Sequence, residues 1–295
     1  MSVAPTDFAL SAPAAAAPRR GLADAARRHP TIVAGAILLA VVAGMAVFAP
    51  YLGTVDPQAL SPAQRLEWPS AQHWFGTDML GRDVYSRTVY GARVSLAAGL
   101  SVALLSTALG LAIGLVTGFS RPADAVLMRI MDGLMSIPAV LIAIALMALT
   151  RASLQNVVFA ITIGQVPQIA RLVRGIVLSL RELPFVEAAV ASGTRPLRLL
   201  LRHILPNTVP SLYVQATFTA ASAMIVEAIL SFLGVGTPPN IPSWGNIMAE
   251  GRDLFQVAYY IVLFPGIMLS ITVLAINLCG DGLRDALDPR LSRRM

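Results

Sequence analysis

The chain has no lysine, one cysteine and three histidines, and only 13% of its 295 residues are charged. Each scarcity closes off a class of explanation. A lone Cys279 cannot form an intrachain disulfide, and His29, His73 and His203 are too scattered for metal-ligand spacing, so no bound metal is expected. No GxxxxGK[ST] loop is present to cradle ATP phosphates, and neither HExxH nor GxSxG occurs. A net charge of +6 would suit nucleic acid, but all 22 basic residues are arginines that gather beside apolar runs. That placement reads as a topology signal, and no nucleic-acid partner is expected.

Apolar residues make up 56% of the chain and mean hydropathy is +0.70. A bilayer core needs about 20 apolar residues per helix. Six such runs occur, at roughly 31–49, 94–119, 134–150, 156–178, 211–234 and 257–279. The expected fold class is an all-α integral membrane protein of six transmembrane helices. Pro30 and Pro50 bracket a first run longer than a signal-peptide core, which favours an uncleaved span. Residues 1–29, built around SAPAAAAPRR, lack apolar periodicity and read as a disordered tail. The expected organisation continues with the first span and an outer segment (30–93), a five-helix core (94–280) and a C-terminal tail (281–295).

Arginines divide sixteen to six between alternate sides of these spans. The richer side carries both termini, Arg121, Arg129 and the segment 184–207; the poorer carries Arg65, Arg82, Arg87, Arg93, Arg151 and Arg252. By the positive-inside rule the termini and 184–207 are cytoplasmic, and 50–93 faces out.

Within the spans, Gly110, Gly114 and Gly118 recur every four residues and suit close helix packing. Gln165, Pro167 and Gln168 interrupt the fourth span before Arg171 and Arg174 end it. Polar groups at that depth must face a cavity or protein, so this is either a pathway face or a kinked subunit interface. Glu227 is the only carboxylate of the fifth span, suited to an interhelical hydrogen bond or a solute contact. The loop that follows carries Trp244, a residue suited to the membrane–water boundary. Pro265-Gly266 reads as a kink in the sixth span. In GTDMLGRD, Asp78, Arg82 and Asp83 suit a folded outer cap held by ion pairs, with contact to a delivered binding protein as the alternative.

The segment Pro184–Asn207 is the charged stretch between two spans. Pro184 suits a first helical turn, Glu187 the positive helix end, Gly193 a left-handed stop and Thr194 a second cap. Leu197, Leu200, Leu201 and Ile204 then recur at helical spacing, opposite Arg198 and Arg202. A chain without a nucleotide site must couple transport to an ion or borrow hydrolysis from another subunit.

The stretch EAAVASGTRPLRLLLRHILP resembles the EAA loop of ABC-importer permeases, matching at Glu187, Ala188, Ala189, Gly193, Leu205 and Pro206. His203 departs from the general pattern but is typical of the dipeptide/oligopeptide branch. The blocks His73–Leu96, Glu227–Gly245 and Gly280–Leu291 are similar to those of that branch's C-type permease, so the resemblance runs from about His29 to Leu291. Val166-Pro167 stands where the family often has Trp-Pro.

The resemblance implies a type I ABC-importer permease of the inner membrane that pairs with a homologous B-type permease. It also implies two ATP-binding subunits, which use ATP and Mg while this chain binds no cofactor, and an extracytoplasmic substrate-binding protein. Glu187, Ala188, Ala189, Gly193, Leu197, Leu200, Leu201, Ile204 and Pro206 would couple to the ATPase. An ion-coupled secondary transporter should show broken helices in inverted repeats with embedded ionisable groups. An intramembrane enzyme needs a paired nucleophile and base. Neither pattern is found.

Overall fold

A computed structural model describes residues 30–287; the 1–29 tail and the last residues of the C-terminal tail lie outside it. Ten α-helices occur among the described residues. They are α1 (Pro30–Val47), α2 (Val84–Phe119), α3 (Arg121–Met135), α4 (Ala139–Leu149) and α5 (Leu154–Arg181), then α6 (Pro184–Ala191), α7 (Pro196–Leu199), α8 (Leu205–Phe232), α9 (Trp244–Gly251) and α10 (Tyr260–Leu287). Five helical stretches are long and apolar enough to span: α1, α2, α5, the continuous run Pro196–Phe232 and α10.

The third expected span, 134–150, is not a single rod. α3 and α4 form one span only as a pair bent by 88°. Pro138 forces the break, because it lacks an N–H and excludes the residue before it from helical geometry. α3 starts at Arg121, earlier than expected, and it is amphipathic, burying Met128 and Met131. The second span is also longer than its apolar run. It starts at Val84 because the Asp83 carboxylate accepts the Ser86 N–H at 2.7 Å, capping the helix.

α2 and α5 run parallel, with glycines of one against branched residues of the other. A Cβ at Gly110, Gly114 or Gly118 would lie 2.6, 2.5 or 2.6 Å from the Cβ of Ile169, Val173 or Val177. Only hydrogen fits there, and the backbones approach closely in return. Gly114→Val should therefore lower the thermal unfolding midpoint of the purified protein, at an overpacking cost of about 1–3 kcal/mol. Gly44→Val, where no atom lies within 4 Å of the added Cβ, should leave the midpoint unchanged. Elsewhere Gly99 seats Met224 of α8, and Gly35 brings α1 onto Ala275 and Cys279 of α10.

The bundle has two dissimilar ends. At one, residues 48–83 and 233–259 fold together as a cap: Gln58 Nε2 donates to the Asn240 carbonyl at 3.0 Å, and the Tyr260 hydroxyl donates to the Glu67 and Thr77 carbonyls at 2.9 and 3.0 Å. Trp244 belongs to this cap rather than to a lipid boundary. It is fully buried, and its indole N–H donates to the Thr88 carbonyl at 2.9 Å. The other end carries the α6–α7 hairpin, the start of α1 and the end of α10.

Candidate functional site

The hairpin begins with Pro184 in the first turn of α6, where its missing N–H costs nothing. α6 ends in a Schellman motif: Thr194 N–H donates to Ala189 C=O at 3.1 Å and Gly193 N–H to Val190 C=O at 2.9 Å. Gly193 makes the turn at φ +76°, with no atom within 4 Å of where a Cβ would stand. Thr194 does not cap the second helix, since Arg195 holds that position without a side-chain bond and Pro196 follows in the first turn.

From Pro196 the chain stays helical to Phe232, through a π-turn at Leu200–Ile204 in which the Leu205 N–H bonds to the Leu200 carbonyl. Pro206 accounts for the widening, because its ring has no N–H for the carbonyl one turn back and would clash with it. The consequence corrects the sequence reading. Leu197, Leu200, Leu201 and Ile204 do not form one face: Leu197 and Leu201 are 66% and 52% exposed, whereas Ile204 is fully buried. Ile204 belongs to the buried cluster that holds Ile169, Val173 and Val177 of α5, and Leu200 packs against that cluster. The exposed apolar set at the hairpin is instead Leu183, Phe185, Val190, Leu197 and Leu201. Glu187 and Ala188 are exposed beside it, Ala189 is half-buried and Pro206 is exposed.

In the interior, Gln165 is buried and its Nε2 donates to the Ser222 hydroxyl of α8 at 3.1 Å. Gln168 is exposed, so the two glutamines do not share a face. α5 continues as a helix past Arg171 and Arg174 to Arg181. Both arginines turn sideways to α3. Arg174 forms a two-pronged pair with Asp124, one prong at 2.8 Å, and Arg171 bonds Asp132 at 2.6 Å. Glu227 is fully buried, with one carboxylate oxygen accepting from the Ser231 hydroxyl at 2.9 Å. Ser231 also accepts the Thr237 N–H at 3.3 Å, so the carboxylate sits under the loop that closes this end of α8.

The cap centres on a buried charge cluster. Asp78 accepts from Arg82 Nε at 2.7 Å and from Arg87 at 2.6 Å, and both arginines reach Glu250 of α9, Arg82 at 2.6 Å. The other Asp78 oxygen takes the Leu80 and Arg82 N–H groups at 2.8 and 3.0 Å. Asp83 is occupied with Ser86 and with His73 Nδ1 at 3.0 Å. Asp78 and Arg87 are about 1% exposed. Asp78 and Asp83 are thus buried and engaged within the cap, as the ion-paired cap reading expects.

Residues 93–293 match the family described as binding-protein-dependent transport system inner membrane component. The chain belongs to this family. It is 51% identical over 269 residues to a probable peptide ABC transporter permease of Sinorhizobium fredii, covering 91% of this chain and 92% of that protein. It is 42% identical over 267 residues to a glutathione transport system permease of Pectobacterium atrosepticum, covering 90% and 88%. A dipeptide transport system permease of Alkalihalophilus pseudofirmus is 41% identical over 266 residues, with 90% and 88% covered. The inward-facing MetNI methionine ABC transporter has a similar fold, with TM-score 0.54 and 25% identity over 68% of this chain and 95% of that one.

The chain is thus an ABC-importer permease of the inner membrane with several spanning helices, and the relatives it matches are transport subunits rather than enzymes. Sequence reasoning missed several participants in these arrangements, among them Glu250, Leu183, Phe185, Val190, Asp124 and Asp132.

Proposed function

We propose that this permease is one of two membrane subunits of an ATP-driven importer for dipeptides, oligopeptides or related small solutes. A homologous B-type permease completes the passage, two ATP-binding subunits hydrolyse ATP with Mg, and an extracytoplasmic binding protein delivers the solute at the cap end. Both termini are cytoplasmic. The observation that carries the reading is the hairpin: an ordered turn with five exposed apolar side chains, helically continuous with a spanning helix. Exposed apolar patches with polar rims mark protein contacts. Closure of ATP-bound partner subunits would move this hairpin and tilt α8 with it, a two-state switch biased by ATP's preference for the closed state.

The substrate class follows the named relatives, which transport peptides, dipeptides and glutathione. Its test is reconstitution of the chain with its partner permease, ATPases and binding protein in proteoliposomes, followed by uptake across a dipeptide panel. The expected result is uptake that requires ATP and binding protein and ignores a protonophore. Uptake that survives without ATP and collapses with the proton gradient would reverse the assignment.

A further inference from the structure

Glu227 is the only charged residue between Asn207 and Asn246, and it is fully buried. The arginines of the cap end are spent elsewhere. Arg82 and Arg87 hold Asp78 and Glu250, Arg93 holds the Ala46 and Val47 carbonyls, and Arg252 holds Asp253. Of the Glu227 oxygens, Oε1 accepts from Ser231 at 2.9 Å, whereas Oε2 is buried without a hydrogen-bond partner among the described residues. An unpaired carboxylate away from water is costly. A proton would remove the charge but leave Oε2 without a partner. A cation meets both needs.

Three hydroxyls gather at this carboxylate. Ser231 bonds it, and Thr237 and Ser243 stand near it without bonding it. The Thr237 hydroxyl is 3.3 Å from both the Ser231 and the Ser243 hydroxyl. That is longer than the roughly 2.5–3.0 Å of an O–H···O bond. It suits oxygens that share one ion: ligands about 2.3–2.6 Å from a cation of calcium or sodium size stand about 3.3–3.7 Å apart in octahedral geometry. Each hydroxyl also takes an N–H, Ser231 from Thr237, Thr237 from the Asn246 side chain and Ser243 from the Asn246 backbone. Those bonds fix the oxygens and leave each a lone pair to give. The backbone wraps closely around them, since a Cβ on Gly236 would lie 2.2 Å from the Ser231 Oγ and one on Gly245 2.7 Å from the Ser231 Cβ.

We propose that Glu227, Ser231, Thr237 and Ser243 bind one monovalent cation of sodium size, which ties the 233–246 loop to the end of α8. The donor set is all oxygen, which selects a hard cation. The charge count selects a single charge, since a divalent ion facing one carboxylate would leave an excess positive charge buried. The expectation of no bound metal rested on cysteine and histidine and is blind to such a site. The site goes beyond the importer reading and does not depend on it.

Two measurements on the purified full-length protein test it. In the first, protein exchanged into N-methylglucamine chloride at mildly alkaline pH is titrated with sodium chloride at constant ionic strength. The thermal unfolding midpoint is expected to rise by roughly 5–10 °C once sodium reaches about a hundredfold excess over its dissociation constant. The second is equilibrium dialysis with radiolabelled sodium, expected to give a single ion per chain. Glu227→Gln keeps the shape and removes the charge, and is expected to abolish both responses. Thr237→Val removes one ligand and is expected to weaken sodium binding roughly tenfold; it decides the matter together with wild type if Glu227→Gln does not fold. A wild-type midpoint unmoved by sodium, with no label retained, would overturn the site and leave a proton on Glu227. A sodium response undiminished in Glu227→Gln, or matched by choline, would overturn it as well.

Discussion

Gly193→Asp is expected to leave the chain folded in the membrane at its normal level and to lower ATP-driven uptake roughly tenfold or more, the scale of a typical coupling free energy. The two halves of that result have separate causes. Folding survives because a non-glycine residue in the left-handed region costs only about 1–2 kcal/mol, and less for Asp, while the space around the added Cβ is open. On the proposed coupling role, transport fails because the Gly193 turn belongs to the same hairpin as the exposed Val190, Leu197 and Leu201, the side chains proposed to meet the ATPase. A carboxylate buried there in the complex would have no partner. Gly193→Asn separates the effects, since it tolerates the same turn without charge and should retain more activity. Immunoblots of membranes beside uptake assays give the readout. Normal uptake by the Asp variant would remove the hairpin turn from the coupling contact.

The second large effect concerns the cap. Removing Arg87 as Arg87→Ala leaves Asp78 and Glu250 sharing Arg82 alone, with Asp78 almost fully buried. Stripping one partner from a buried ion network costs about 3–5 kcal/mol. The cap should open before the bundle melts, so limited proteolysis applied from the cap side should cut within 54–72 in Arg87→Ala and not in wild type. A control decides the mechanism. Asp78→Asn with Arg87→Met removes both charges and should be less susceptible than Arg87→Ala, because the damage comes from the orphaned carboxylate. Equal cleavage of the two variants would point to lost packing instead.

How far the fold was legible differs element by element. Five spans and the glycine stripe were visible because hydropathy and small-residue spacing are local properties. The α3–α4 break was signalled by Pro138, but an apolar stretch on either side of it reads as one span until packing shows the bend. The start of α2 was hidden because its first turns carry Arg87, Ser86 and Thr88, polar residues that resemble a loop until the cap buries them. The hairpin's turn could be read from Gly193 alone. Its exposed face could not, since the π-turn at Leu200–Ile204 breaks the periodicity from which that face was inferred. Partners such as Glu250 for Arg87 lie 163 residues apart, beyond any local pattern. The partner of Arg171 was not legible because arginine in a membrane chain is first read as a boundary marker, and only α3 reveals what it holds.

The glycine seam between α2 and α5 also restricts how this protein can move. Its slots repeat every four residues along one helix and the branched side chains that fill them repeat every four along the other. The nearest alternative meshing is therefore a slip of about 6 Å, four residues at 1.5 Å each. Any smaller slide drives Ile169, Val173 and Val177 into backbone with no gap to receive them. The joint behaves like a keyed shaft, rigid along its axis. Whatever displacement reaches the end of α5 must carry α2 with it as one piece, and the changes of spacing that open and close a passage fall to the other helix contacts.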